Sequence, residues 1–149
     1  MRAFVLLALA FLVALAPTAS SGLAAADSRG PAYQVVVNPS NPVTDLDRES
    51  IADAFLKKTT VWANGETIRP VDLAASSPVR RQFSEELLRR SVSEVKGYWQ
   101  QRIFSGRDVP PPELDTDDEV IKYVLKYEGG IGYVSGSAAL EGAKVLRVR

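Results

Sequence analysis

The residues best equipped for chemistry in this chain are Ser76-Ser77-Pro78-Val79-Arg80-Arg81, two hydroxyls followed closely by two guanidinium groups. Ser77 suits a helix N-cap and Pro78 the first helical position, so the stretch reads as a helix start. The positive end of the helix dipole prefers acids in the first turn, and cations there are unfavourable unless an anion lies nearby. Free backbone N–H groups, the Ser76 and Ser77 hydroxyls and Arg80 as charge partner would form a donor set for phosphate, sulfate or a carboxylate. Such a set binds and does not catalyse. The chain has no His and no Cys, and no Lys lies near these serines in sequence, so nothing activates a nucleophile and no catalytic residue is assigned. The same residues also have a plainer use, in which Ser77 only caps while Arg80 and Arg81 face solvent or pair with Asp72 or Glu85.

The other helix starts make the inversion at Ser77 informative. Asp47 with Glu49, Ser91 with Glu94, and Thr116 with Asp117, Asp118 and Glu119 all carry acids where the dipole favours them. Asp115, Asp117, Asp118 and Glu119 lack the alternating ligand spacing, central Gly and distant Glu of a calcium loop, so they read as caps, and no metal is expected. Tyr98-Trp99 and Tyr123 with Tyr127 have helical spacing and read as packing residues. Gly129-Gly130-x-Gly132 precedes a strand, whereas a dinucleotide fingerprint follows one, so it reads as a turn and no cofactor is expected.

The elements that must position these groups follow from periodicity. Residues 33–38 read as a strand stopped by Pro39, and residues 48–58 as a helix capped by Asp47. Asn64-Gly65 marks a tight turn between residues 60–62 and a strand over 67–71, with a loop over 72–76. The helix from Pro78 carries a Val79, Phe83, Leu87 stripe, and an adjoining helix starts after Ser91. A proline-rich loop over 105–115, a helix from Asp117 and a strand over 131–135 come next. Residues 137–141 read as a short helical turn, and 144–148 as a last strand at a sheet edge. This alternation predicts an α/β domain with a mostly parallel sheet flanked by helices. Sites in such sheets gather at the carboxyl ends of the strands, so Ser40 and Asn41, on the loop after the first strand, are expected to face the same cleft as Ser76, Ser77 and Arg80.

Met1-Arg2, the apolar run from Ala3 to Ala16 and the small residues Ala24-Ala25-Ala26 form the pattern of a secretory signal peptide, with cleavage near Ala26. The reading is therefore an exported, periplasmic protein with a signal peptide over 1–26, one domain over 27–149 and no membrane span in the mature chain. Removing the leader takes away Arg2, one of 18 Lys and Arg, and none of the 18 Asp and Glu, leaving a net charge of −1. That balance gives no general attraction to nucleic acid.

Several segments together resemble the phosphate-binding proteins of ABC importers. Val35-Val36-Val37-Asn38-Pro39-Ser40-Asn41-Pro42, Ile51-Ala52-Asp53-Ala54-Phe55-Leu56-Lys57 and Trp62-Ala63-Asn64-Gly65 are similar to the first half of the pattern. Tyr98-Trp99, Ile103-Phe104-Ser105-Gly106, Pro110-Pro111 and Gly130-Ile131-Gly132-Tyr133-Val134 are similar to the second. The resemblance implies one lobe of a type II periplasmic-binding-protein-like fold, not an enzyme, with a small phosphate-like anion as ligand. In that family a Ser-Gly-Thr triplet at a helix start, with an arginine four residues earlier, grips phosphate. Here Ser76-Ser77-Pro78 falls at the triplet and Asp72 at the arginine, and proline removes a backbone donor. The resemblance thus implies weak binding or a half-site, the alternative being a ligand-free interaction module for an envelope protein or transporter partner.

Overall fold

The computed structural model describes residues 32–149, so the signal peptide expected over 1–26 lies outside the described residues. Val35, Val36 and Val37 are all buried, which requires cover on both faces, and the strand they belong to, β1 (Tyr33–Val37), is accordingly the central one. It is flanked by β6 (Gly130–Ser135) and β7 (Lys144–Val148), while β2 (Asp45–Leu46) and β3 (Arg69–Pro70) form the edges in the order β2-β7-β1-β6-β3.

The sheet is mixed. β1 is antiparallel to both neighbours, whereas β2 is parallel to β7 and β3 to β6, so four strands run one way and β1 the other. The sheet expected as mostly parallel has two parallel and two antiparallel pairings. Alternation of strands and helices constrains strands joined through a helix, but β1 pairs with distant strands, Tyr33 facing Ser135, whose direction alternation does not constrain. β7 is not an edge strand either: β2 covers it, and Asp45 of β2 lies 2.8 Å from Arg149 and 3.7 Å from Arg147.

Residues 132 and 133 point to opposite faces and show what covers each. On one face α4 (Asp117–Lys126) packs so closely that a Cβ on Gly132 would meet Val120 Cγ1 at 2.7 Å and Val71 Cγ1 at 2.9 Å. On the other, Tyr133 stacks on Phe83 of α2 (Pro78–Phe83) with ring centroids 3.7 Å apart, and Phe55 of α1 (Arg48–Phe55) closes the cluster 4.8 Å from Phe83. α3 (Val92–Phe104) is tied to this second layer through Tyr98, whose hydroxyl donates to the Leu56 carbonyl at 2.8 Å.

Three local features depart from the sequence reading. α2 passes without a break into a π turn over Ser84–Leu88, ended by Arg89 at φ 54°. Residues 137–141 form no helical turn: turns at 136–137 and 141–142 enclose an irregular stretch over 138–140. The tight turn at Asn64-Gly65 is flanked by the isolated Val61–Thr67 bridge, while the loops expected over 72–76 and 105–115 contribute a small parallel pair, β4 (Asp72–Leu73) with β5 (Glu113–Leu114).

Candidate functional site

β3 continues through Val71 into β4, which delivers Asp72 and Leu73 to the carboxyl edge of the sheet just before α2 begins. Ser77 caps α2 as its residue type predicts: its Oγ accepts the Arg80 N–H at 3.3 Å, and its own N–H donates to the Ala74 carbonyl at 2.9 Å. Ser76 is exposed and Ser77 half-buried.

Arg80 is only 3 % exposed, so of the two plainer uses the solvent-facing one does not apply to it. Its Nη1 donates to the Leu73 carbonyl at 2.8 Å and lies 3.1 Å from Asp72 Oδ1 and 3.8 Å from Glu113 Oε1. The Tyr133 hydroxyl donates to the same Asp72 oxygen at 2.9 Å and accepts the Leu73 N–H at 3.2 Å. Asp72, Leu73, Arg80 and Tyr133 therefore form a closed buried network, and a carboxylate of the chain itself already faces the guanidinium. Arg81, the other cation of this turn, is exposed.

Two opposing effects act on Asp72. Burial favours its neutral form and dominates, while the Arg80 charge and the Tyr133 hydrogen bond favour the ionised form and Glu113 disfavours it. The result is a carboxyl raised to about 6. Tyr133 is raised above its ordinary value, first by burial and then by the Asp72 charge, so it stays a neutral hydrogen-bond donor.

The structure does not bring all five expected site residues together. Ser76, Ser77 and Arg80 share one edge of the sheet. Ser40 and Asn41 lie at the opposite edge, because β1 runs against β6 and its carboxyl end meets the start of β6, where Asn38 N–H donates to Gly130 O at 3.3 Å. Expecting both loops in one cleft required β1 to run with β3, and it does not. Asn41 is instead a buried loop brace: its Oδ1 accepts the Val43 N–H at 2.9 Å and its carbonyl accepts from Lys144 Nζ. Tyr133 and Glu113 were not anticipated in the site. No local pattern marks them, since they reach Asp72 and Arg80 only through the pairing of β3 with β6 and β4 with β5.

The acidic run at the start of α4 does what capping predicts. Thr116 and Glu119 form a capping box, and the Asp117 carboxylate accepts the backbone N–H and hydroxyl of Ser135. Among the described residues no group of three or more Asp or Glu is arranged to hold a metal ion, and no helix is long and apolar enough to cross a membrane.

The structure is similar to an ABC-type phosphate transport receptor from Vibrio cholerae (TM-score 0.62, 21 % identity), with 78 % of this chain covering 46 % of that one. It is similar also to a phosphate ABC transporter substrate-binding protein from Clostridium perfringens with bound phosphate (TM-score 0.63, 23 % identity, 78 % of this chain on 44 % of that one). The chain shares the fold of one part of these proteins. PstS from Borrelia burgdorferi matches this chain in the same way, at 15 % identity and over 47 % of its length. The chain thus spans a little under half the length of these proteins. No family model matches the sequence, and no curated protein matches it.

Proposed function

We propose that the protein is an exported solute-binding lobe that holds a small phosphate-like oxyanion weakly, as a half-site, at the edge formed by Ser76, Ser77 and Arg80. The observation that carries this reading is the Arg80–Asp72 pair at the start of α2. A cation stands beside a helix start at the strands' carboxyl edge, in a lobe with the phosphate-receptor fold, and an internal carboxylate compensates it. Full ionisation of Asp72 opposes an incoming anion, and protonation removes that opposition. The charged groups around Asp72 are Arg80 and Glu113, with Tyr133 neutral, so the switch follows the Asp72 carboxyl at about 6. Anion affinity therefore rises as pH falls from 8 through 6. Calorimetric titration with sulfate, whose charge is constant over this range, checks this. Millimolar binding at pH 5 that weakens at pH 8 supports the reading, and no heat at either pH rejects it.

The alternative, an interaction module for an envelope protein or transporter partner, is favoured by a different observation. Ile103, Phe104 and Val109, at the end of α3 and in the loop after it, are 50 %, 91 % and 61 % exposed. Grouped exposed apolar side chains mark interaction surfaces. Co-purification from gently extracted envelopes, lost on Phe104→Ser, supports it, and a protein that elutes alone in both forms rejects it.

A further inference from the structure

A cavity of ≈ 320 Å³ opens between α3 and the β4–β5 pair, with Arg80 in its wall. One side is apolar, made by Val92, Trp99 and Ile103 of α3 and by Pro110 of the loop that follows. The other side is charged. Asp72 and Arg80 satisfy each other through Nη1, but Arg80 Nε is buried without a hydrogen-bond partner. A buried donor of that kind is normally paired, and the side chain that carries it lines this cavity.

Two further charges of opposite sign line the cavity, and the Glu113 carboxylate stands 3.8 Å from Arg80 Nη1. Lys96 and Glu113 are exposed and line the same cavity. With Arg80 and Asp72 they give the wall two cations and two carboxylates, a balance that favours a ligand carrying both charges. A solute that is itself neutral overall but carries both charges meets every one of these groups. The volume lies at the small end of the range for small-molecule pockets, roughly 300 to 1,000 Å³, which suits one compact solute.

We propose that this cavity binds a free α-amino acid with an apolar side chain. Its carboxylate faces Lys96 and Arg80 Nε, its ammonium faces Glu113, and its side chain lies against Trp99, Ile103 and Pro110. A polypeptide terminus presents only one of the two charges and leaves the other rim residue unmatched, so the free amino acid is the better complement. The site goes beyond the oxyanion reading: it lies on the α3 side of Arg80, and neither Ser76 nor Ser77 belongs to its wall.

Calorimetry of the purified protein with L-leucine and L-phenylalanine, their N-acetyl and methyl-ester forms, and phosphate tests this directly. The free amino acids bind, and blocking either charge weakens binding at least about tenfold, the scale of one charge-assisted hydrogen bond. Lys96→Ala and Glu113→Gln, both at exposed positions, each weaken it by a similar factor while circular dichroism confirms an unchanged fold. Absence of heat with both amino acids up to millimolar concentration overturns the proposal. Affinity indifferent to the blocking groups or to both variants also overturns it, because the charges are then not read. The two readings share Arg80, so phosphate is titrated into the wild type and Lys96→Ala: its failure to bind the wild type counts against the oxyanion reading and not against this one, and phosphate binding unchanged by Lys96→Ala belongs to the oxyanion edge.

Discussion

α2 and α4 both begin at the same edge of the sheet, one after β4 and the other beside the end of β6, and they solve the same electrostatic problem in opposite ways. At α4 the acids are in the helix itself: Glu119 closes the capping box and Asp117 reaches across to Ser135. All of this is exposed or half-exposed, where charge is inexpensive. At α2 the first turn holds a buried cation, and the compensating acid, Asp72, comes from the preceding strand. A cap built within the helix is tolerant and modest in value. A cap completed from a neighbouring strand is buried, coupled to Tyr133 and costly to break. The same arrangement leaves Arg80 compensated, which separates a helix start that resembles an anion trap from one with a free positive charge.

The largest expected effect breaks the α2 side. Arg80→Leu leaves Asp72 buried without its cation and should cost about 3–5 kcal/mol in urea denaturation at pH 7. Arg80→Leu with Asp72→Leu together should recover most of that loss, since replacing a buried pair by apolar groups is often neutral. If the double variant is as unstable as the single one, the pair is not what orders this helix start.

pH sharpens the same contrast. The folded Asp72 carboxyl is raised to about 6 from an ordinary 3.8, so between these values the folded state holds more protons than the unfolded one. Stability from this group therefore falls as pH rises from about 4 to about 6 and is flat beyond. Urea midpoints measured across this window should show the decline in the wild type and lose its Asp72 component in the double variant.

Tyr133→Phe removes a donor to Asp72 and an acceptor for the Leu73 N–H, and should cost about 1–3 kcal/mol. Thr116→Ala, the matching change at α4, should cost about 1 kcal/mol by thermal or urea unfolding, the value of a single N-cap. Arg81→Ala, exposed beside Arg80, should change stability by less than about 0.5 kcal/mol. A loss at Thr116→Ala equal to that at Arg80→Leu would remove the distinction between the two starts.

The caps were legible residue by residue. Asp47, Ser77, Ser91 and Thr116 all cap the helices their spacing announces, because a cap is completed within three residues of itself. The turn at Asn64-Gly65 is where the dipeptide places it, with Gly65 at φ 90°. The π turn was not legible: Ser84-Glu85-Glu86-Leu87-Leu88 has an ordinary helical pattern, and the wider turn shows in the backbone, where Arg89 N–H donates to the Ser84 carbonyl five residues back. Of the site, Ser77 and Arg80 were legible as a pair, and Asp72 was identifiable as one possible partner among several. The grouping with Ser40 and Asn41 was not sound, because it depended on a strand direction.

What the sequence by itself determined is therefore the set of local decisions: where helices begin, which faces are apolar, that the domain is α/β, and that one helix start carries the opposite charge to the rest. What only the tertiary structure decided is the direction of β1, the burial of Arg80 and the identity of its partners. Three consecutive valines fit a doubly covered strand running either way, so direction is set by β6 and β7 and not by β1. How much positive charge an arginine near the start of a helix offers a ligand depends on what the neighbouring strand presents to it. Here that strand presents Asp72, held in place by a tyrosine sixty-one residues away.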